Sequence, residues 1–425
     1  MPIRRPRTPP PALRHVAFLE TMAGAPERTP LHEGAHATLL TLRLLDHWLA
    51  LGSDFADPDM AAHRAARDAV TALRGDAEWR AALLSILNAV SSLQQPDAQP
   101  VLPRVYALGG LIERRGLLIE AGDIYETVAR YVDSNVHLDL AFDAHMRRGF
   151  CLRNNGAFEW ADQAYANAAS LAARDRDRVR VIMARHGQAK VEWSRGNLPA
   201  ADTAMEKLAA EAEELEASRV LAMVLHDRSG VAHDRDDLPR AIRLGYDAFI
   251  RTEDDFERER VLLDLANYLS VFGATDSAND ALRALEISAR SQDLRWSAQI
   301  NLLALSARSG NEMMFQQYRR RLSEVLLPPR IRVEFLVNLG EACAQFGQLH
   351  EARQTYKQGL SIAEEIGANR RIFQIEEALV ALEAQEEQKT AAHVAHAKRP
   401  ARSAAPDDIA TALRDLLSEV SGAAA

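Results

Sequence analysis

The sequence contains only two cysteines, Cys151 and Cys343, which stand far apart in a chain of 425 residues. Neither a framework of disulfides nor a cysteine-based metal site can be built from such a pair. Aromatic residues make up only 6% of the chain and β-branched runs are scarce, whereas alanine, leucine, arginine and glutamate abound. Because the abundant residues favour helices, the composition predicts an all-α protein without structural disulfides.

Long hydrophobic runs are missing as well. The most apolar stretch, "TLLTLRLLDHWLALG", is interrupted by Arg43 and Asp46, so no membrane span is expected. The N-terminal stretch "MPIRRPRTPPPALRHVAFLE" lacks the apolar core of a secretory signal. A net charge of −9 does not imply the basic surface that nucleic acids require. We therefore expect a cytoplasmic protein with no membrane segment and no nucleic-acid partner.

Glycine is scarce too, with 21 residues, yet several glycines recur at constant intervals. Glycine or aspartate tolerates the left-handed conformation that ends a helix. Pro199 and Pro239 stand three residues after two of these positions, where a second helix would begin. The pattern predicts helical hairpins that stack and share a core. Seven such positions, here called landmarks, are spaced by 40 three times and then by 37 three times: Gly116, Gly156, Gly196, Asp236, Gly273, Gly310 and Gly347.

These units resemble the tetratricopeptide repeat family. The unit around Gly310 departs most, with Phe315 in place of alanine and Arg319 in place of the usual aromatic residue. The family's period is about 34, so the helices are expected to be longer by one turn or less. The resemblance implies a right-handed α-solenoid of about seven hairpins. It is clearest in "LGEACAQFGQLHEARQTYKQGL", which carries the family pattern at Leu339, Gly340, Gly347, Ala352, Tyr356 and Leu360.

Other segments flank the repeats. Thr29 and Pro30 are a start signal for the first of three predicted helices. The region that these helices form is either a divergent repeat or a separate module, and both alternatives stay open. The last segment is amphipathic, because Ile409, Leu413, Leu416, Leu417 and Val420 share one helical face. Such a helix could dock on a partner, cap the last repeat or lie in the chain's own groove. The predicted segments are a disordered basic tail (1–28), a helical region (29–93), a linker (94–101), the solenoid (102–383), a low-complexity linker (384–406) and a short helix (407–421).

The stretch "LHEGAHATLL" contains His32-Glu33-x-x-His36, which is the spacing of zinc peptidases. Two histidines four residues apart share a helical face, and Glu33 would be the catalytic base. No third ligand follows in a recognisable motif, and no strand is predicted to hold a substrate. We therefore interpret His36 and His47 as residues that flank a buried stripe, formed by Leu31, Ala35, Leu42 and Leu49, on a packing helix from which Glu33 points away.

In tetratricopeptide proteins the position nine residues before each landmark lines the concave groove. Asparagine side chains there grip the backbone of a bound peptide in peptide-binding members, since an amide pairs with both N–H and C=O. Asparagine and aspartate are not favoured inside helices, so their presence needs a reason, either ligand binding or solvation of the surface. In this chain the position holds Asp227, Asp264, Asn301 and Asn338, and Asn267 and Glu341 lie one turn further along.

A more basic part of the groove is predicted, formed by Arg147, Arg153, His186, Lys190, His226 and His233. The alternative is ordinary surface charge. No nucleotide-binding or nucleophile motif occurs in the sequence.

We therefore predict a non-enzymatic scaffold without a cofactor, which binds a protein or peptide segment, the chain's own C-terminal helix being one candidate. A second hypothesis is a ligand-gated regulator with the N-terminal helices as its output, which is the layout of peptide-pheromone receptors. The third is a zinc hydrolase built on His32, Glu33 and His36.

Overall fold

The computed structural model describes residues 14–51, 60–93, 97–366 and 368–392, and these residues form helices joined by turns. No strand occurs in these ranges, and the predicted all-α class of helical repeats is confirmed. None of the helices described is long and apolar enough to cross a membrane. The chain divides into two compact units, Met1–Arg195 and Gly196–Ala425.

The first unit begins with four helices and continues into the repeats. The start signal predicted at Thr29 is confirmed, because its hydroxyl accepts a hydrogen bond from the backbone N–H of His32 at 3.2 Å. The helices of this unit are α1 (Val16–Gly24), α2 (Pro30–Leu51), α3 (Met60–Ala72), α4 (Ala77–Ser92), α5 (Leu102–Arg114), α6 (Leu118–Tyr131), α7 (Leu138–Asn154), α8 (Phe158–Arg174) and α9 (Arg178–Ser194).

The second unit consists of further repeat helices and one additional helix at the end. Pro199 and Pro239 lie in the first turns of α10 and α12, as predicted. The helices of this unit are α10 (Leu198–Glu214), α11 (Ser218–Asp234), α12 (Leu238–Arg251), α13 (Asp255–Phe272), α14 (Thr275–Ser288), α15 (Gln292–Arg308), α16 (Glu312–Ser323), α17 (Pro329–Gln345), α18 (Leu349–Glu365) and α19 (Asn369–Ala392).

All seven landmarks lie in the turn between two helices and have a positive φ, from 59° at Asp236 to 102° at Gly273. The left-handed conformation ends one helix and turns the chain into the next, so the predicted turn chemistry is confirmed. Arg176 and Glu216 adopt the same conformation after α8 and α10, with φ of 59° and 53°. The sequence did not reveal these two turns, because arginine and glutamate are not residues that favour positive φ.

The residue five positions after each landmark is completely buried. In the divergent unit Phe315 takes this place and packs on Phe346, with ring centroids 4.9 Å apart. In the same unit the buried aromatic residue is Tyr318, one position before Arg319. Arg319 occupies the usual aromatic position and forms an ion pair with Glu351. The residues with 0% exposure are Ala121, Ala161, Ala201, Ala241, Ala278, Phe315 and Ala352.

A glycine of the first helix packs against a tyrosine of the second helix in several hairpins. In α5, a Cβ added to Gly109 would lie 2.8 Å from the ring of Tyr125, whose hydroxyl is held by Glu113 at 3.0 Å. A Cβ added to the adjacent Gly110 would find its nearest atom at 3.7 Å, which is ordinary contact. The two neighbours therefore provide a matched test of this close approach.

We expect Gly109→Ala to lower the free energy of unfolding by about 1–3 kcal/mol, because the ring or the helix must shift. Gly110→Ala is expected to raise it by about 0.5–1 kcal/mol, since alanine favours the helix and meets no obstacle. Urea unfolding of both variants, followed by circular dichroism, measures the difference. Equal effects of the two substitutions would contradict the packing described here.

The N-terminal segment differs from its prediction. Residues 1–28 were expected to be a disordered tail, but residues 16–24 form α1, and the side chain of Phe18 is 0% exposed. The helix contacts α2 and α6. The buried core runs without interruption from Phe18 through α2–α6 to Cys151 in α7. The N-terminal helices therefore share one core with the first repeats and do not have a core of their own.

Buried polar contacts anchor the start of α1. Asp46 of α2 has no exposed side-chain surface, and it accepts hydrogen bonds from Arg14 at 3.1 Å and from the hydroxyl of Tyr131 at 2.7 Å. The ring of His15 lies between Asp46, at 3.4 Å, and Asp123 of α6, at 3.0 Å. We call these five residues the α1 anchor, because they tie α1 to α2 and α6.

The C-terminal linker is helical at its start. The linker expected at 384–406 begins as helix, since α19 continues to Ala392. It is 24 residues long, whereas α17 has 17. The short helix predicted at 407–421 lies outside the described residues.

Candidate functional site

Four side chains of the second unit occupy corresponding positions on neighbouring helices. Asp227, Asp264, Asn301 and Asn338 lie on α11, α13, α15 and α17, the first helices of successive hairpins. Each of these helices contacts the next one in the series. The side chain of Asp264 is 51% exposed, and the other three residues are half-buried. We call these four residues the polar ladder.

Asp264 is engaged by a histidine of the preceding hairpin. Its Oδ2 lies 2.8 Å from Nε2 of His226 on α11. Burial acts to lower the pKa of His226, but the hydrogen bond and negative charge of Asp264, with the charge of Asp227, outweigh it. The pKa of His226 is therefore raised above its usual value. This shift favours the charged form of the imidazole, which pairs with Asp264 at this end of the ladder.

The amides of the ladder are placed for hydrogen bonding. Nδ2 of Asn338 donates to the backbone carbonyl of Glu334 in the same helix, at 2.9 Å. This bond uses one N–H of the side-chain amide within the helix. The second N–H and the carbonyl oxygen of the amide can hydrogen-bond to another group. Asn301 and Asn267 are half-buried on α15 and α13. This arrangement presents donor and acceptor groups on three adjacent helices.

Two carboxylates beside the ladder are desolvated. Burial raises the pKa of Glu334, and Asp264 adds to the rise, while Arg371 and a hydrogen bond from Ser297 at 3.2 Å act against it. Burial also raises the pKa of Glu341, against the positive charges of Arg308 and Arg371. The ionised form of each group is therefore stabilised less than in water.

Glu341 was predicted from the sequence, and Glu334 was not. Glu334 lies one helical turn before Asn338, a spacing that could have identified it. Arg308 was also missed, and burial lowers its pKa although Glu341 acts against this. Four carboxylates, at Asp227, Asp264, Glu334 and Glu341, thus lie among five basic groups, at His226, Arg260, Arg308, Arg330 and Arg371.

The basic residues predicted in the first unit have structural partners. Arg147 of α7 forms an ion pair with Glu113 of α5, with Nε 3.0 Å from Oε2, and its guanidinium lies 5.0 Å from the ring centroid of Phe150. Arg153 donates to Ser194 at 3.1 Å and lies 5.7 Å from the same ring. Glu113 neutralises the charge of Arg147, and a binding role for Arg147 stays a prediction.

His186 and Lys190 lie one turn apart on α9. His186 is only 3% exposed, so the expectation that it lines a groove is corrected, whereas Lys190 is half-buried. Gly187 occupies the landmark-relative position of the ladder, and a Cβ there would lie 2.4 Å from the ring of Tyr165 on α8. In this hairpin, therefore, the position serves packing and carries no polar group.

The zinc-peptidase spacing is explained by packing. Glu33 accepts a hydrogen bond from the backbone N–H of Arg74 at 3.2 Å, which holds α2 at the end of α3. A Cβ on Gly34 would lie 2.6 Å from the ring of Trp79, so glycine is needed for this contact. His36 is exposed, and Leu31, expected to be buried, is 37% exposed. No three potential ligands in the described parts of the chain are arranged to hold a metal ion.

The two cysteines are free and buried. Burial raises the pKa of Cys151 to about 12 and that of Cys343 to about 11. A thiol that stays protonated near neutral pH is a poor nucleophile. Cys151 also lines a cleft of ≈ 240 Å³ between the start of α1, α6 and α7, where Arg148 pairs with Glu126 at 2.9 Å. This volume is below the usual range for ligand pockets.

Comparisons with known proteins show the fold. No protein-family model matches the chain, and no curated protein matches it. Its structure is similar to that of the Rap conjugation gene regulator of plasmid pLS20 in complex with the Phr* peptide, with a TM-score of 0.52 and 13% identity. This likeness covers 78% of our chain and 96% of that chain, and it supports the tetratricopeptide-type repeat predicted from the sequence.

Two further solved structures were matched with lower TM-scores. One is a Rap protein complexed with competence and sporulation factor, with a TM-score of 0.45, 13% identity and coverage of 80% of our chain and 99% of that chain. The other is the apo form of the quorum sensor NprR from B. thuringiensis, with a TM-score of 0.38, 10% identity and coverage of 80% and 97%.

Proposed function

We propose that this protein is a non-enzymatic scaffold that binds an extended peptide segment along the polar ladder of its second unit. The observation that carries the proposal is the placement of Asp227, Asp264, Asn301 and Asn338 on four neighbouring first helices. An extended peptide needs donors and acceptors at regular intervals, and amides on successive helices supply both. The regulator of plasmid pLS20, which shares this fold, was solved with the Phr* peptide bound.

The proposed contact residues are those of the second unit, namely the ladder with Asn267, Glu334 and Glu341. Arg147 and His186 are not included, because the first is paired with Glu113 and the second is buried. The proposal includes no cofactor and no nucleic-acid partner. The cytoplasmic location expected from the sequence belongs to the same proposal.

A ligand-gated regulator is the second candidate function. It is favoured by the continuous core that joins α1–α4 to the first repeats, since movement of the repeats would be transmitted to helices packed against them. X-ray scattering with and without a selected peptide tests this candidate. An unchanged scattering curve in the presence of saturating peptide argues against gating.

The binding proposal predicts that peptides selected from a phage-displayed random library will depend on the ladder amides. We expect the double variant Asn301→Ala, Asn338→Ala to bind a selected peptide about 10–100-fold more weakly, because each lost hydrogen bond contributes about 1 kcal/mol. Fluorescence anisotropy with the labelled peptide measures the dissociation constants. The matched control is Asn279→Ala on α14, a second helix of the same unit, which is expected to leave affinity unchanged. Failure to select any peptide, or equal affinity in all variants, would refute the proposal.

A further inference from the structure

The last described helix has one covered and one uncovered apolar side. Ile375 and Leu382, two turns apart on α19, are 0% and 3% exposed. Ile375 packs on α18, since a Cβ added to Gly359 of that helix would lie 3.4 Å from its Cδ1. Phe373 and Val380 each precede one of these residues by two positions, which is about 200° around a helix. They therefore point away from α18, and they are 62% and 66% exposed.

The corresponding surface of the preceding first helix is covered. On α17, Val333, Phe335, Leu336 and Cys343 are all at most 6% exposed, although they lie on different sides of the helix. The helix α17 contacts α15, the first helix of the preceding hairpin, and α18, the second helix of its own hairpin. By contrast, α19 contacts α17 and α18, and within the described part of the chain no second helix follows it. It occupies the first-helix position of an eighth hairpin.

We propose that residues 407–421 of this chain supply the missing second helix and pack antiparallel on the Phe373 and Val380 side of α19. The segment has the apolar face that such a helix needs, formed by Ile409, Leu413, Leu416, Leu417 and Val420. At about 1.5 Å per residue it is about 22 Å long, which covers four turns of α19. Capping of this kind is what the exposed end of a repeat array requires.

The chain between the two helices is long enough. The fourteen residues 393–406 can span about 46–50 Å when extended. Along the axis of α19, Phe373 lies about 29 Å from Ala392, so the linker can return the segment to this side chain. A linker of this length places the segment beside α19 at an effective concentration in the millimolar range.

The small size of the exposed apolar surface favours the chain's own segment over a second copy of the protein. Two exposed apolar side chains present much less area than the ≈ 1,000 Å² that a stable interface between separate molecules buries. A tethered segment can bind a small surface, because the linker removes the entropic cost of bringing two separate molecules together. The inference does not rest on peptide binding at the polar ladder, so each can fail separately.

Hydrogen exchange of the full-length protein, followed by mass spectrometry, tests the inference. In the unchanged protein the backbone amides of 410–420 are expected to exchange at least tenfold more slowly than an unstructured chain. The double variant Phe373→Ser, Val380→Ser removes only exposed side chains and is expected to abolish this protection. The control Ile287→Ser on α14 replaces a side chain that is 78% exposed and should leave protection unchanged.

The reciprocal variant, Leu413→Asp with Leu417→Asp, should increase exchange in α19 to a similar extent. Three results would overturn the inference: no protection of 410–420 in the unchanged protein, protection that persists in the Phe373 and Val380 double variant, or protection that disappears on dilution, which would indicate a second copy.

Discussion

Asp46→Ala is expected to lower the free energy of unfolding of the first unit by about 3–5 kcal/mol, because it leaves buried charges without their partner. Asp46 is fully buried between Arg14, His15 and Tyr131. His15 is also fully buried and would keep only Asp123. The loss should appear first as faster hydrogen exchange in α1, since the α1 anchor is what ties this helix to α2 and α6.

Thermal and urea unfolding measure the effect. A matched control is Glu159→Ala in the same unit, where an 85% exposed side chain pairs with Arg195 at 3.2 Å. Exposed ion pairs contribute little, so we expect a change below about 1 kcal/mol. If Asp46→Ala destabilised the protein no more than Glu159→Ala, the anchor would have no structural role.

The α1 anchor also predicts a dependence of stability on pH. Burial acts to lower the pKa of His15, but the hydrogen bonds and charges of Asp123 and Asp46 raise it from 6.5 to about 9. Burial acts to raise the pKa of Asp46, but its bonds with His15, Tyr131 and Arg14 lower it from 3.8 to about 2. The contribution of His15 is complete below pH 6.5 and is lost as the pH rises through about 9. That of Asp46 is complete above pH 3.8 and is lost as the pH falls through about 2.

Melting temperatures measured from pH 3 to pH 10 test this dependence. Between about pH 4 and pH 6.5 the anchor contributes fully, and a His15→Gln variant should show a much smaller decline on the alkaline side. Parallel curves for the two proteins above pH 7 would contradict the assignment.

Glu334→Gln is expected to weaken binding of a selected peptide by about 30-fold or more, and the selected peptides should carry lysine or arginine. Burial raises the pKa of Glu334 and Glu341 although Arg371 acts against the rise at both, so a further cationic side chain nearby would favour their ionised forms. Removal of one partner from a buried charge pair costs about 2–5 kcal/mol. This prediction rests on the proposed binding site.

Fluorescence anisotropy with a lysine-bearing peptide and its norleucine analogue separates charge from shape. The affinity difference between the two peptides should nearly vanish in Glu334→Gln and persist in the control Glu312→Gln, an exposed residue of α16. If the selected peptides contained no basic residues, the predicted preference for positive charge would be wrong. Binding by the ladder amides would still be tested by the Asn301 and Asn338 variants.

The differences between expectation and structure have physical causes. The role of α1 was missed because its anchor joins Arg14 and His15 to Asp46, Asp123 and Tyr131, which are distant in sequence. The basic residue Arg147 was assigned to a binding surface, because nothing in the spacing reveals that Glu113 neutralises it. Side chains that meet across helices cannot be paired from local pattern.

The hairpin repeat was determined by the sequence alone, because its signals are local. A left-handed turn needs glycine or aspartate, and close helices need a small residue five positions later, as Ala352 follows Gly347. The same periodicity located the ladder from Asp227 to Asn338. Tertiary structure alone decided which charges remain available: it desolvated the half-buried Glu334 and Glu341, paired Arg147 and covered His186. Desolvation and charge pairing depend on which helices come together in space, and a linear sequence does not contain that information in readable form.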